Sequence, residues 1–209
     1  MKEYNLNLPL FITIIGILSA LISVVVLMIT GSLGYREVGQ LAFNYSFITV
    51  PLAIIWYLFE NYGWKSSWFV FLRKFLNIPP DISGRWEGTL DRVEENNPHG
   101  FVIEIKQTMT KLQVYTFSQN GKSESIIDNI VTDKMEDDFQ LTYLWEGNAG
   151  KLTGINYKGG KFKGYTILAL IENEKERKLV GEYFTDREPS QTKGYINVIW
   201  KSDKLKKEF

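Results

Sequence analysis

Residues 101–119 read FVIEIKQTMTKLQVYTFSQ, and the alternation in this stretch decides the fold. Phe101, Ile103 and Ile105 fall on one face with Gln107, and Leu112 and Val114 fall on one face with Thr116 and Ser118. Successive side chains of an extended chain point to opposite sides, so period two over this length predicts strands. A few residues separate the two runs, as in a hairpin. The pattern holds outward in the C-terminal direction as well. Leu141 shares a face with Tyr143 and Trp145, and Leu179 shares one with Gly181, Tyr183, Thr185 and Arg187.

From Ser83 onward the periodicity predicts eight strands, approximately 84–93, 101–109, 112–119, 124–131, 139–145, 162–171, 178–185 and 195–201. Turn chemistry separates them at Asn96-Asn97-Pro98, Asn120-Gly121, Glu136-Asp137-Asp138, Gly159-Gly160 and Glu188-Pro189-Ser190. Strands alone, joined by short links, favour an eight-stranded up-and-down, lipocalin-like closed β-barrel over an open sandwich. The tripeptide Gly84-Arg85-Trp86 is similar to the G-x-W start of lipocalin-like barrels, where the tryptophan plugs one end.

Ahead of this all-β domain the composition changes. Residues 8–30, LPLFITIIGILSALISVVVLMIT, pass without a charge and span roughly 34 Å as a helix, enough to cross a bilayer. The run is longer than a signal-peptide core, and no A-x-A-like cleavage site follows it. Residues 41–59 form a second apolar run containing Asn44, Ser46, Thr49 and Pro51. The two runs predict an N-terminal transmembrane α-hairpin. The connecting loop holds one basic residue, Arg36; Lys2 precedes the first run, and Lys65, Arg73 and Lys74 follow the second. The positive-inside tendency therefore places both termini and the barrel in the cytoplasm. Residues 61–80, rich in aromatics and cations, form a juxtamembrane linker that ends at Pro79-Pro80, and 81–209 form the barrel.

Several chemistries lack their parts. The chain has no cysteine, which excludes disulfides and thiolate chemistry. Its net charge is zero, so nothing points to polymeric nucleic acid. The single histidine, His99, has no second histidine nearby and reads as an exposed loop residue. Glu136-Asp137-Asp138 reads as a solvated turn. No metal, cofactor or catalytic constellation is expected, and hence no enzyme.

A binding site is better founded. In an antiparallel meander the odd strands finish at one end, so Ser118, Trp145 and Arg187 converge at one mouth with Thr116, Tyr143, Tyr183 and Thr185 just below. Trp86 and Gln107 fall at the opposite end. Aromatic faces, hydroxyls and one arginine suit a small anion with stackable rings, because arginine clamps phosphate and aromatics stack on bases. The alternative is that Tyr143, Trp145 and Tyr183 fill the barrel as ordinary core.

The order of features resembles the two-transmembrane effectors with a cyclic-dinucleotide-receptor β-barrel found in bacterial CBASS anti-phage systems. The resemblance rests on the hairpin, on Pro79-Pro80-Asp81-Ile82-Ser83-Gly84-Arg85-Trp86-Glu87-Gly88 and on Ile105-Lys106-Gln107-Thr108. Ser123-x-Ser125, Leu141-Thr142-Tyr143 and Leu179-Val180-Gly181-Glu182-Tyr183-Phe184-Thr185-Asp186-Arg187 followed by Gly194 complete it. It implies a cyclic dinucleotide ligand made by a cognate CD-NTase, homo-oligomerisation on activation, and disruption of the inner-membrane bilayer leading to abortive infection. The competing expectations are a membrane-anchored lipocalin-like carrier of an apolar molecule and a structural tether. In the first run Gly16-x-x-x-Ala20 and Ser19-x-x-x-Ser23 place small residues on one helix face, suited to close helix packing within the hairpin or between subunits.

Overall fold

The computed structural model describes residues 2–3, 13–22, 25, 38–66, 78–93, 97–119, 121–132, 139–149, 161–173, 175–186 and 191–209. The chain divides into two compact units, one of residues 1–4 with 80–209 and one of residues 5–79.

Residues 13–22 are helical. A longer helix, Val38–Asn61, contains the predicted second run with Pro51 inside it, and a 3-10 turn, Gly63–Lys65, follows. Among the described residues no helix is long and apolar enough to cross a membrane. Residues 67–77 of the expected juxtamembrane linker lie outside the described residues.

The other unit is built from strands. A two-residue strand, β1 (Lys2–Glu3), precedes β2 (Gly84–Arg92), β3 (His99–Gln107), β4 (Leu112–Ser118) and β5 (Gly121–Thr132). Next come β6 (Phe139–Ala149), β7 (Lys161–Glu172), β8 (Arg177–Thr185) and β9 (Lys193–Ser202). Each of β2 to β8 pairs antiparallel with its successor, and β9 returns to pair with β2. Eight strands thus close into an up-and-down barrel, the architecture that removes every exposed edge. Residues predicted for the inner face do meet inside. Phe101, Ile103, Ile105, Val114, Leu141 and Leu179 belong to one buried cluster, which Leu168 and Ile196 join from strands whose facing the sequence left unassigned.

Two boundaries differ from expectation by three residues or more. β5 begins at Gly121 rather than near residue 124, and β6 runs on to Ala149 rather than 145. The extra residues pair with one another, Gly121 with Ala149 and Lys122 with Asn148. Those residues are polar, glycine or alanine, so no run of large apolar side chains announces them.

One end is plugged. The Trp86 indole is fully buried, donates its Nε1–H to the Ile82 carbonyl at 3.0 Å, and carries the Arg177 guanidinium 5.6 Å above its ring. Gln107 accepts the Ile82 N–H at 2.8 Å and donates to the Pro80 carbonyl at 2.9 Å. The lead-in Pro80–Ser83 is therefore fixed to the closed end by buried hydrogen bonds, which cost more to break than they contribute net. At Gly84 φ is +116°, and a Cβ there would sit 2.6 Å from the Ser202 carbonyl oxygen, so only glycine fits.

The β4–β5 ladder runs from Tyr115 to Ser118 and stops. Beyond it the Val114 N–H donates to Ser125 Oγ at 2.9 Å, and that hydroxyl donates in turn to Asp128 Oδ2 at 2.7 Å. Further along, β5 pairs with β1, Lys2 opposite Thr132 and Glu3 opposite Val131. Burial pushes the Asp128 carboxyl above its ordinary value, against the opposing hydrogen bond from Ser125. A raised folded pKa favours the protonated form, so this contribution to stability is present at low pH and lost as pH rises through the folded value. Asp128→Asn is accordingly expected to melt above the parent at pH 7, with the gap closing below about pH 4, where the parent side chain is itself neutral. Melting curves across pH check this, and equal melting points at pH 7 would refute it.

Candidate functional site: the mouth of the barrel

Four strand pairs meet at the end opposite Trp86, and each brings its own chemistry. On β4 and β5, Thr116 Oγ1 and Ser123 Oγ lie 2.5 Å apart, and Ser118 Oγ donates to the Gly121 carbonyl at 3.2 Å. At the end of β8 and just before β9, Thr185 Oγ1 bonds Thr192 Oγ1 at 2.7 Å and accepts the Thr192 N–H at 3.0 Å. On β6 and β7, Thr166 is the hub. It accepts the Trp145 Nε1–H at 2.9 Å and hydrogen-bonds the Tyr143 phenol. Burial drives the Tyr143 phenol well above its ordinary pKa, so it is neutral at any physiological pH.

The position of Trp145 follows from a missing side chain. Gly164 lies directly opposite it across β6–β7, and a Cβ there would fall 2.2 Å from the indole. The ring lies over this bare backbone, with Phe162 edge-on at 5.5 Å. Replacing Thr166 by Val removes the hub while keeping its shape. The expected loss is about 1–3 kcal/mol, since it strips partners from two polar groups, one of them fully buried. Chemical denaturation checks the loss, and a change under about 0.5 kcal/mol would show the hub to be dispensable.

The fourth pair supplies charge. Trp86, Gly88, Leu90 and Arg92 share the inward phase of β2, which brings Arg92 to the mouth, and His99 opens β3 opposite Leu90. Both are half-buried, and Lys122 stands exposed at the start of β5. These side chains line one cavity with Thr116, Ser118, Tyr143, Trp145, Tyr183 and Thr185. About 120 Å³ of it is open to the centres of water molecules, of which one needs about 10–15 Å³. Among the described residues the lining includes Arg92, Lys122 and His99 and no carboxylate.

Six of the seven residues expected at the mouth therefore line the cavity; Arg187 lies outside the described residues. His99 is not the exposed loop residue that its Pro98 neighbour suggests: it begins a strand and faces the cavity. Sequence reasoning also passes over Arg92, Lys122, Ser123, Thr166 and Thr192, although inward phase alone places Arg92 and His99. Most of the hydroxyls are engaged with one another, so what they offer a ligand is a second lone pair or a shared proton. In the first helix Gly16, Ser19 and Ala20 are described and Ser23 is not; a Cβ on Gly16 would meet nothing within 4 Å.

The family model for the Cap15 cyclic dinucleotide receptor domain matches residues 77–199. The chain belongs to this family. The Cap15 match spans the lead-in to the barrel and all of it except the end of β9, so fold and family agree on one unit. A cyclic dinucleotide is the class of ligand that a Cap15 receptor domain takes by its description. No curated protein matches the chain.

Proposed function

We propose that the chain is a membrane-anchored effector of CBASS antiviral defence whose barrel binds a cyclic dinucleotide at its mouth. The observation that carries this reading is the cavity, in a Cap15-family barrel, lined by Arg92, Lys122, His99 and the Trp145 ring and, among the described residues, by no carboxylate. Cations answer the two phosphates, and the indole offers a face to a base. The residues expected to contact the ligand are Thr116, Ser118, Tyr143, Trp145, Tyr183, Thr185 and Arg187, joined by Arg92, His99 and Lys122. The ligand comes from a cognate CD-NTase, and no catalysis, cofactor or metal is assigned to this chain.

The runs 8–30 and 41–59 hold the protein in the bacterial inner membrane, with the barrel and both termini cytoplasmic. Support for this half comes from apolar side chains left exposed on the helices, among them Ile17, Leu21, Val50, Ile54 and Leu58, each more than half accessible. Ligand binding drives homo-oligomerisation through the Gly16, Ser19, Ala20 and Ser23 face, and the assembled helices disrupt the bilayer.

Calorimetric titration of the full chain in lipid nanodiscs with a panel of cyclic dinucleotides tests the sensing step. Binding tighter than about 100 μM, near −5.5 kcal/mol, is expected for at least one. No binding across the panel, with lipid co-purifying from the barrel, would favour the apolar-carrier reading. Ligand-triggered dye leakage from vesicles tests the membrane step.

A further inference from the structure

Residues 203–209, Asp-Lys-Leu-Lys-Lys-Glu-Phe, lie beyond β9 and beyond the region matched by the family. They lie on the outside of β2 and β3. Glu104 faces outward on β3 yet is fully buried, and Arg85, opposite it on β2, is 4 % exposed. Glu104 accepts the N–H groups of Lys206 at 2.7 Å and Lys207 at 3.0 Å. Arg85 Nη1 donates to Glu104 at 2.8 Å and to the Glu208 carbonyl at 2.7 Å, while its Nε donates to Glu87. One carboxylate and one guanidinium thus grip a peptide backbone.

Farther along the same outward face lies Gly100. A Cβ there would come within 2.8 Å of Phe209 Cζ, so the aromatic ring sits against this bare backbone. Gly100 also lines the cavity, between His99 and Phe101, which project inward. Gly100 is therefore covered by the strap on one side, and with its two neighbours it lines the mouth on the other.

We propose that residues 203–209 are a reversible latch on the outer wall of the mouth, coupled through Gly100 to occupancy of the cavity. The grip is built to open. Lys204, Lys206, Lys207, Glu208 and Phe209 are themselves exposed, and the strap is held by a few hydrogen bonds rather than a buried apolar face. Lys207 stands at φ +60°, a conformation that side chains other than glycine seldom adopt and that release relaxes. Arg85 and Glu104 remain each other's partner when the strap leaves, so opening strands no lone buried charge. A ligand that shifts His99–Phe101 changes the seat of Phe209, and by linkage an undocked strap changes ligand affinity by the same factor.

The coupling to ligand rests on the sensing reading above; the coupling to the mouth does not. Hydrogen exchange and limited trypsin digestion of the full chain in nanodiscs separate the two. Phe209→Ala is expected to raise amide exchange at residues 99–101 and trypsin cleavage after Lys204, Lys206 and Lys207 at least threefold without ligand. In the parent, the cyclic dinucleotide that calorimetry shows to bind is expected to change strap cleavage at least threefold. The same variant should then bind it with an affinity altered by a similar factor. Exchange at 99–101 unmoved by Phe209→Ala overturns the latch, as does a bound ligand that leaves strap cleavage unchanged. Absence of binding together with raised exchange overturns the sensing reading and leaves the brace on the mouth standing.

Discussion

Replacing Trp86 by Ala is expected to lower the stability of the barrel by about 3–5 kcal/mol, the usual loss for a large aromatic removed from a core. The indole is fully buried at the closed end, and three things are lost with it. Its apolar contacts go. The Ile82 carbonyl loses the donor that ties down the lead-in to β2. The Arg177 guanidinium, half-buried over the ring, loses the π face beneath it. Against a total stability of about 5–15 kcal/mol this is a large fraction, and for a barrel of this size it lowers the melting temperature by about 10–20 °C. Calorimetric melting measures it. Trp86→Phe should fall between, because it keeps most of the volume and none of the hydrogen bond. A fall below about 5 °C for the alanine variant would show that the plug does not hold that end together.

The second large effect is on binding. Arg92→Ala is expected to weaken cyclic dinucleotide affinity about ten- to a hundredfold, corresponding to about 1.5–3 kcal/mol for hydrogen bonds to a charged group. The reason is position as well as charge. Arg92 ends the inward face of β2 and reaches the cavity from the strand that also carries the plug. Lysine there keeps the charge and loses the planar fork, so Arg92→Lys should recover only part of the affinity. Titration of variants whose melting curves match the parent decides it. Unchanged affinity in a folded Arg92→Ala protein removes this residue from the ligand contacts. The same substitution at Arg187, expected to cost 1 kcal/mol or more on the order of a charge-assisted contact, shows whether the mouth carries one clamp or two.

Much of the barrel is legible in the residues because its interior is apolar and its exterior is not. Wherever inward residues alternate with outward ones, as from Phe101 to Gln107, the strand and its facing follow. Legibility fails where burial stops deciding. The rim ends of β5 and β6 pair through Gly121, Lys122, Asn148 and Ala149, with no apolar face to mark them. The strap is held by a buried charge pair on the outside of the wall, and nothing in Asp203-Lys204-Leu205-Lys206-Lys207 has a period. The mouth is legible for the same reason as the core. One rule of phase places Thr116, Ser118, Tyr143, Trp145, Tyr183 and Thr185 together, and applied to residues 84–92 it would have placed Arg92 as well. The proline before His99 points to a loop, whereas the chain is already entering β3 there.

An even number of strands has a consequence for how such a receptor can change over generations. β2 starts and β9 ends at the plugged pole, so the connections β2–β3, β4–β5, β6–β7 and β8–β9 are all made at the mouth. Insertions and exchanges in those connections alter the mouth without disturbing Trp86, Gln107 or the lead-in to β2. Selection can therefore reshape the mouth while the plugged pole, which holds the barrel together, stays fixed.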